Sequence, residues 1–186
     1  MSGAAIRLAG SKGSKMNENS NENLLILGAG QYGRVAEETA ASTGKFDKIA
    51  FLDDKNEIAV GKLADYEKFV CEYKNAFVAM GNADLRLEFI GKLQKAGYTV
   101  VTIVSPRAYV APSASLGRGS IVEAGAVVNS YAALGAGTLV CAGAVVNHNA
   151  VVGDGCQIDC GSVVGANAAL PAKTKLGYNE TFVKKS

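Results

Sequence analysis

The chain has a single histidine, His148, and its four cysteines, Cys71, Cys141, Cys156 and Cys160, show no CxxC spacing. A catalytic zinc centre draws on about three His, Cys or carboxylate ligands, so one histidine excludes a histidine-built metal site within the chain and no metal is expected. Unpaired cysteines with no secretory leader ahead of them fit free thiols in a reducing compartment, and a cytoplasmic location is expected. No stretch approaches the ~20 apolar residues needed to cross a bilayer. There is also no block of Lys or Arg, and the formal net charge is only +2. That balance argues against a nucleic-acid or anionic-membrane partner and for a small molecule. Residues 1–22, rich in Gly, Ser, Asn and Lys, lack the apolar run of a signal peptide. They are expected to be a disordered or appended tail, with a native start near Met16.

What is present is a repeat. From Val104 an aliphatic residue recurs every six positions: Val104, Val110, Leu116, Val122, Val128, Leu134, Val140, Val146, Val152, Ile158, Val164, Leu170 and Leu176. Four places after each of the first twelve stands a small residue, from Ala108 and Ala114 to Ala168 and Thr174. A period of six fits neither an amphipathic helix nor one long strand. It fits a short strand and a corner, repeated three times per turn of a triangular coil. The aliphatic residue then points inward, and the small residue fills the narrow interior near the corner. Glycines at 117, 119, 135, 137, 153 and 155 are expected to free the backbone at the bends. Coils should stack at the ~4.8 Å strand spacing. Residues 104–186 are therefore expected to form an all-β parallel β-helix. Such a short solenoid has a limited core, which gives it a reason to associate.

Residues 23–103 alternate strand and helix signals, as a small Rossmann-like α/β unit with a parallel sheet does. LLILGAG reads as a strand running into a glycine turn, Gln31–Thr43 as a helix stopped by Gly44, and Lys48–Leu52 as a second strand. Asp65–Tyr73 reads as a short helix and Ala76–Met80 as a third strand. A helix over Ala83–Ala96 follows, capped by Asn82, stopped by Gly97, and carrying Leu85, Phe89, Leu93 and Ala96 on one face. Tyr98–Ile103 is a fourth strand leading into the coils. Gly28-Ala29-Gly30-Gln31-Tyr32-Gly33 is a GxGxxG at a strand-to-helix turn, with Asp53 and Asp54 closing the second strand. Such glycines let backbone approach a phosphate at a helix N-terminus, and an acid at the next strand end can bond a ribose hydroxyl. The same pattern also fits a tight turn with no ligand. About eighty residues make one mononucleotide half rather than the two that clasp a dinucleotide, so a mononucleotide is expected and a dehydrogenase is disfavoured.

Residues 104–176 resemble the hexapeptide-repeat family, whose members form left-handed parallel β-helices and are mostly trimeric acyltransferases. GAGQYG, the following FLDD, AMGNADLR and TIVSPRAYVAPSASLG together resemble the sugar O- and N-acetyltransferases of the sialic-acid and bacillosamine pathways. The resemblance implies an acetyl-CoA-dependent enzyme, a homotrimer, and an N-terminal unit that holds the nucleotide of a UDP-sugar. It places Gly28, Gly30, Gly33, Asp53, Asp54, Gly81, Asn82 and Arg86 near that nucleotide.

His148 lies in Val146-Asn147-His148-Asn149, beside a corner, and the resemblance implies that it is the catalytic base. An imidazole changes charge near cellular pH, so it can accept the proton of an attacking amine or hydroxyl without a covalent acyl-enzyme. Eighteen residues make one coil. Ser130 then lies below His148 and Ala166 above it, with Asn129, Asn147 and Gly165 in the next column. The amides of Gly165 and Ala166 are expected to bind the oxyanion and the thioester carbonyl, while Asn129 and Asn147 orient the acceptor. The family has an acid directly after the base and often a second histidine nine residues on. Here those places hold Asn149 and Gln157, and Gln157 can still donate to the cofactor. Buried packing is expected for Cys141, Cys156 and Cys160. Two alternatives stay open: a catalytically weakened sugar-nucleotide-binding or scaffold protein, and an O-acetyltransferase of a sugar such as sialic acid. A zinc hydratase on the same fold would have to gather its histidines on a trimer axis, a poor catalytic pocket.

Overall fold

The computed structural model describes residues 22–184. The tail and the start expected near Met16 lie outside the described residues. Strand β1 (Leu24–Leu27) is flanked in parallel by β2 (Ile49–Leu52) and β3 (Asn75–Val78), and β3 by β4 (Thr99–Val100), giving the order β2-β1-β3-β4. All four residues of β1 are buried, as in a parallel strand covered on both faces. Leu25 and Leu27 pack with Phe89, Ile90 and Leu93 of α2 (Ala83–Lys95). Leu24 and Ile26, pointing the other way, pack with Ala36 and Ala40 of α1 (Gln31–Ser42) and with Ile103, Ile121 and Leu139 of the coil. The sheet is therefore sandwiched between α2 on one side and α1 with the coil on the other.

Both helices stop at a glycine in the left-handed region, Gly44 at φ +64° and Gly97 at φ +95°, and Asn82 caps α2 by accepting the Leu85 N–H at 3.0 Å. Three expectations need correction. Asp65–Tyr73 is not an α-helix but a 3-10 turn over Leu63–Phe69, tightened because Asp65 Oδ2 accepts the Lys62 N–H and the Asp65 N–H donates to Lys62 O. Leu85 does not join the apolar face of α2: it is 38% exposed, and the fully buried side chain of that turn is Arg86. The run Tyr98–Ile103 is not one strand. Thr99–Val100 pairs with β3, whereas Ile103–Val104 pairs with Ile121–Val122. The chain thus leaves one sheet and enters another within two residues.

From Ile103 the backbone forms a left-handed parallel β-helix of two-residue strands stacked on three faces. The first face runs from Ile103–Val104 to Lys175–Leu176, the second from Tyr109–Val110 to Thr181–Phe182, and the third from Ser115–Leu116 to Ala169–Leu170. The register is eighteen residues, so that Val146 lies between Val128 and Val164. Inward aliphatic residues such as Val122, Val128, Val140, Val146, Ile158 and Val164 are fully buried, each contributing about 1.5–3 kcal/mol from area removed from water. The small residues that follow them, from Ala126 to Ala168, are equally enclosed. Ser162 and Thr138 bond backbone carbonyls, which offsets the cost of burying a hydroxyl.

The six glycines expected at bends divide into two kinds. Gly119, Gly137 and Gly155 do have positive φ, whereas Gly117, Gly135 and Gly153 do not. At the latter a Cβ would stand 2.3 to 2.5 Å from the backbone of the next coil. Their role is close approach between coils rather than conformational freedom.

Candidate functional site

Strand order reverses about β1, and between the turn after β1 and the loop after β2 a crevice opens at the C-terminal edge of the sheet, where α/β folds bind ligands. The glycines of the first turn have different duties. Gly28 has φ +101° and a Cβ there would lie 2.8 Å from Ala79 O, while a Cβ on Gly33 would lie 2.1 Å from Gly28 O. Both are dictated by packing. Gly30 has nothing within 4 Å of its would-be Cβ and faces a cavity of about 580 Å³ lined also by Asp53, Lys55 and Asn56. Helix α1 begins with no side-chain cap and no acid in its first turn, leaving its N-terminal amides open to an anion.

Asp53 sits beside this turn with both oxygens engaged. Oδ2 accepts the Ala29 N–H at 2.8 Å, and Oδ1 accepts from Lys55 N–H and Asn56 N–H at 2.9 and 3.0 Å. These bonds, that to Ala29 first, hold its carboxyl below the usual carboxylate range. Asn56 Nδ2 donates to Ala29 O at 2.7 Å, so the two loops are stitched together. Asp54 Oδ1 accepts the Leu63 N–H at 3.1 Å, and the exposed Gly81 and Asn82 form the turn on the β3 side. Arg86 is where the structure overturns its expected place beside the nucleotide. It is fully enclosed, and its guanidinium donates to Met80 O, Gly81 O, Gly137 O and Gly155 O. No face of it is left for a ligand.

His148 is exposed at the corner between the second and third coil faces. Asn149, next in the corner, has φ +55°, a conformation that Asn tolerates better than most side chains. Its amide lies 3.1 Å from His148 Nδ1. With the amide oxygen turned to Nδ1–H, Nε2 is the free base; the amide's two orientations are equivalent in shape. Asn147 Oδ1 accepts the His148 N–H at 2.9 Å and meets Asn129 Nδ2 at 3.4 Å. The asparagine column therefore braces the corner. One expected oxyanion donor is corrected: the Gly165 N–H is taken up by Phe182 O at 2.7 Å, as the coil ladder requires. The Ala166 N–H has no such bond among the described residues. Gln157 donates from Nε2 to Asp159 Oδ1 at 2.6 Å, on the first face rather than beside His148. Cys141 and Cys156 are buried as expected, but Cys160 is exposed.

The sequence did not single out a cluster where α1 meets the corner after the first face. Tyr32 OH donates to Glu123 Oε1 at 3.1 Å, and Glu123 Oε2 accepts the Ala142 N–H at 3.1 Å. Burial raises the Glu123 carboxyl and the Cys141 thiol, and pushes Tyr32 well above its ordinary value. The signal was available: Glu123, Cys141 and Asp159 are successive members of one eighteen-residue column, and two acids there interrupt a run of small residues.

Within one chain the crevice and His148 do not meet. The α/β unit covers the first face and reaches both corners beside it, α1 at Glu123 and α2 at Gly137 and Gly155. His148 occupies the vertex opposite that face.

Residues 23–93 match the PglD N-terminal domain family. The chain is 28% identical to the acetyltransferase domain of PglB from Neisseria gonorrhoeae FA1090, with a TM-score of 0.83 over 87% of this chain and 82% of that one. The same domain in complex with acetyl coenzyme A superposes with a TM-score of 0.84 at the same identity and coverage. The fold is also that of PerB from Caulobacter crescentus, solved with CoA and GDP-perosamine, at 22% identity and a TM-score of 0.59 over 86% of this chain and 90% of that one.

Proposed function

We propose that this chain, a member of the hexapeptide-repeat sugar acetyltransferases, transfers an acetyl group from acetyl-CoA to the amino group of a UDP-linked amino sugar, with His148 as base. Acetyl transfer from acetyl-CoA draws support from the similarity to an acetyltransferase domain bound to acetyl coenzyme A.

The amine attacks the thioester carbonyl while His148 Nε2 accepts its proton, and the Ala166 N–H bonds the oxyanion. Collapse of the tetrahedral intermediate expels the CoA thiolate, which takes the proton back from the imidazolium. The Asn149 amide meets His148 Nδ1 at 3.1 Å and fixes the ring; in the proposed reaction it turns its oxygen to Nδ1–H, the orientation that leaves Nε2 free. Gly30 and the open amides of α1 receive the diphosphate, and Asp53 keeps that turn in shape. Binding energy from the nucleotide then orients the distant amine.

The observation that carries this reading furthest is the separation of crevice and base by the whole prism. A bound nucleotide sugar reaches a base only if a second copy presents its His148 to the first copy's crevice, so sites lie between chains, in the homotrimer that the resemblance implies. Mixing tests it. His148→Ala and Gly30→Trp chains, each impaired alone, should regain turnover once refolded together, because some mixed sites pair an intact crevice with an intact base. A mixture no more active than the sum of its parts rules out shared sites. Calorimetry addresses the nucleotide: no binding at millimolar UDP, together with acetylation of a sugar lacking the nucleotide, overturns the assignment of the crevice.

A further inference from the structure

Arg86 is a fully enclosed cation with no carboxylate partner among the described residues. Burying an unpaired charge is costly unless every donor is satisfied, and here the donors go to carbonyls of two separate units. Nη1 donates to Met80 O and Gly81 O, in the turn after β3. Nε donates to Gly137 O at 2.8 Å and Nη2 to Gly155 O at 2.6 Å, on the coil corner between the third and first faces.

The surroundings are shaped for this contact. Gly137 and Gly155 have φ of +62° and +70°, and a Cβ on them would meet Ile90 or Leu87 of α2 at 3.0 to 3.1 Å. Glycine at both positions lets the helix lie close to the column without displacing these side chains. One coil further on Lys173 pairs with Asp84 at the start of α2, which fixes the same helix end from outside. The guanidinium is planar and permanently charged, so its fork holds the two pairs of carbonyls in one orientation.

We propose that Arg86 is a positioning residue: it clamps the Met80–Asn82 turn, which packs against Gly28 at the start of the turn that lines the Gly30 cavity, to the acyl-transfer coil. The orientation of that turn is then set by the coil and not by the α/β unit alone. The functional half of this inference rests on the nucleotide-sugar reading above; the mechanical half does not.

The test is Arg86→Lys, which keeps the charge and three donors but loses the planar fork. Amide hydrogen exchange should quicken about tenfold or more at residues 81–85 while Val146 and Val164, deep in the coil, keep the wild-type rate. The KM for the UDP-amino sugar should rise about tenfold, with the KM for acetyl-CoA unchanged. Uniformly faster exchange, or unchanged exchange at 81–85, overturns the clamp. So does a fall in active fraction with both KM values unchanged, the mark of a merely structural residue. Arg86→Met leaves four carbonyls without a donor and is expected to fold poorly, which is why the lysine variant decides. If the wild-type protein transfers no acyl group, the nucleotide-sugar reading fails, and the exchange pattern alone decides the clamp.

Discussion

The crevice beside Gly30, proposed above for the nucleotide, and the His148 corner are built in opposite ways. In the crevice Asp53 has both oxygens engaged by backbone, Asn82 caps its helix, and Arg86 has turned away into the joint. Of the residues that the resemblance placed there, most build the pocket, and Gly30 and Gly81 are the two glycines whose sides face open space. At the corner His148 is exposed, touched by Asn149 at Nδ1 and braced through Asn147. A binding site must be stiff, and its stiffness comes from polar groups that never meet the ligand. The proposed base needs one lone pair left free, which the Asn149 amide provides when its oxygen faces Nδ1–H.

This contrast can be broken first at the corner. His148→Ala should lower kcat by about 10²- to 10⁴-fold, the usual worth of a general base, with CoA binding and assembly intact because the exposed ring supports no packing. Stopped turnover with unchanged calorimetric CoA binding is the expected pair of results; near wild-type turnover would place the base elsewhere. The next largest effect lies in the crevice. Gly30→Leu should raise the KM for a UDP-amino sugar about tenfold and spare that for acetyl-CoA, since a side chain there meets no protein atom. The same change at Gly33, where a Cβ already overlaps Gly28 O, should instead destabilise the fold, and equal effects at the two positions would erase the distinction between facing and building. The smallest effect sharpens the corner. Asn149→Asp adds an anion beside Nδ1, which stabilises the imidazolium that forms as the proton is accepted. A few-fold rise in kcat is expected, and an unchanged kcat would show that residue 149 does not act on the ring.

The coil was legible in the sequence because its period is imposed by geometry alone: a residue that faces inward at Val146 must do so again at Val164, whatever surrounds it. The small α/β unit was legible in its elements and less so in its edges. Leu63–Phe69 carries helical spacing, yet the bonds between Asp65 and Lys62 wind it more tightly. Such a local competition leaves no periodic trace. Tyr98–Ile103 looks like one strand since nothing in its composition marks the change of partner. Arg86 was misplaced for a deeper reason. A charged residue in a motif beside a crevice suggests a ligand, and only the three-dimensional joint reveals four carbonyls waiting on its other side. Gly165 failed likewise: its N–H is consumed by Phe182, a partner eighteen residues away whose position depends on the coil continuing past the site.

The eighteen-residue register that stacks Val128, Val146 and Val164 also governs how such a chain can change length. Inserting six residues ahead of His148 would advance everything downstream by a third of a turn and carry the base from its vertex to the next one, while keeping every aliphatic residue inside. Inserting eighteen restores the phase. Gains or losses of sequence within the prism are therefore silent for the core in multiples of six but neutral for the placement of the base only in whole turns, and lineages of such chains should differ in length by that larger quantum, with irregular additions confined to the corners.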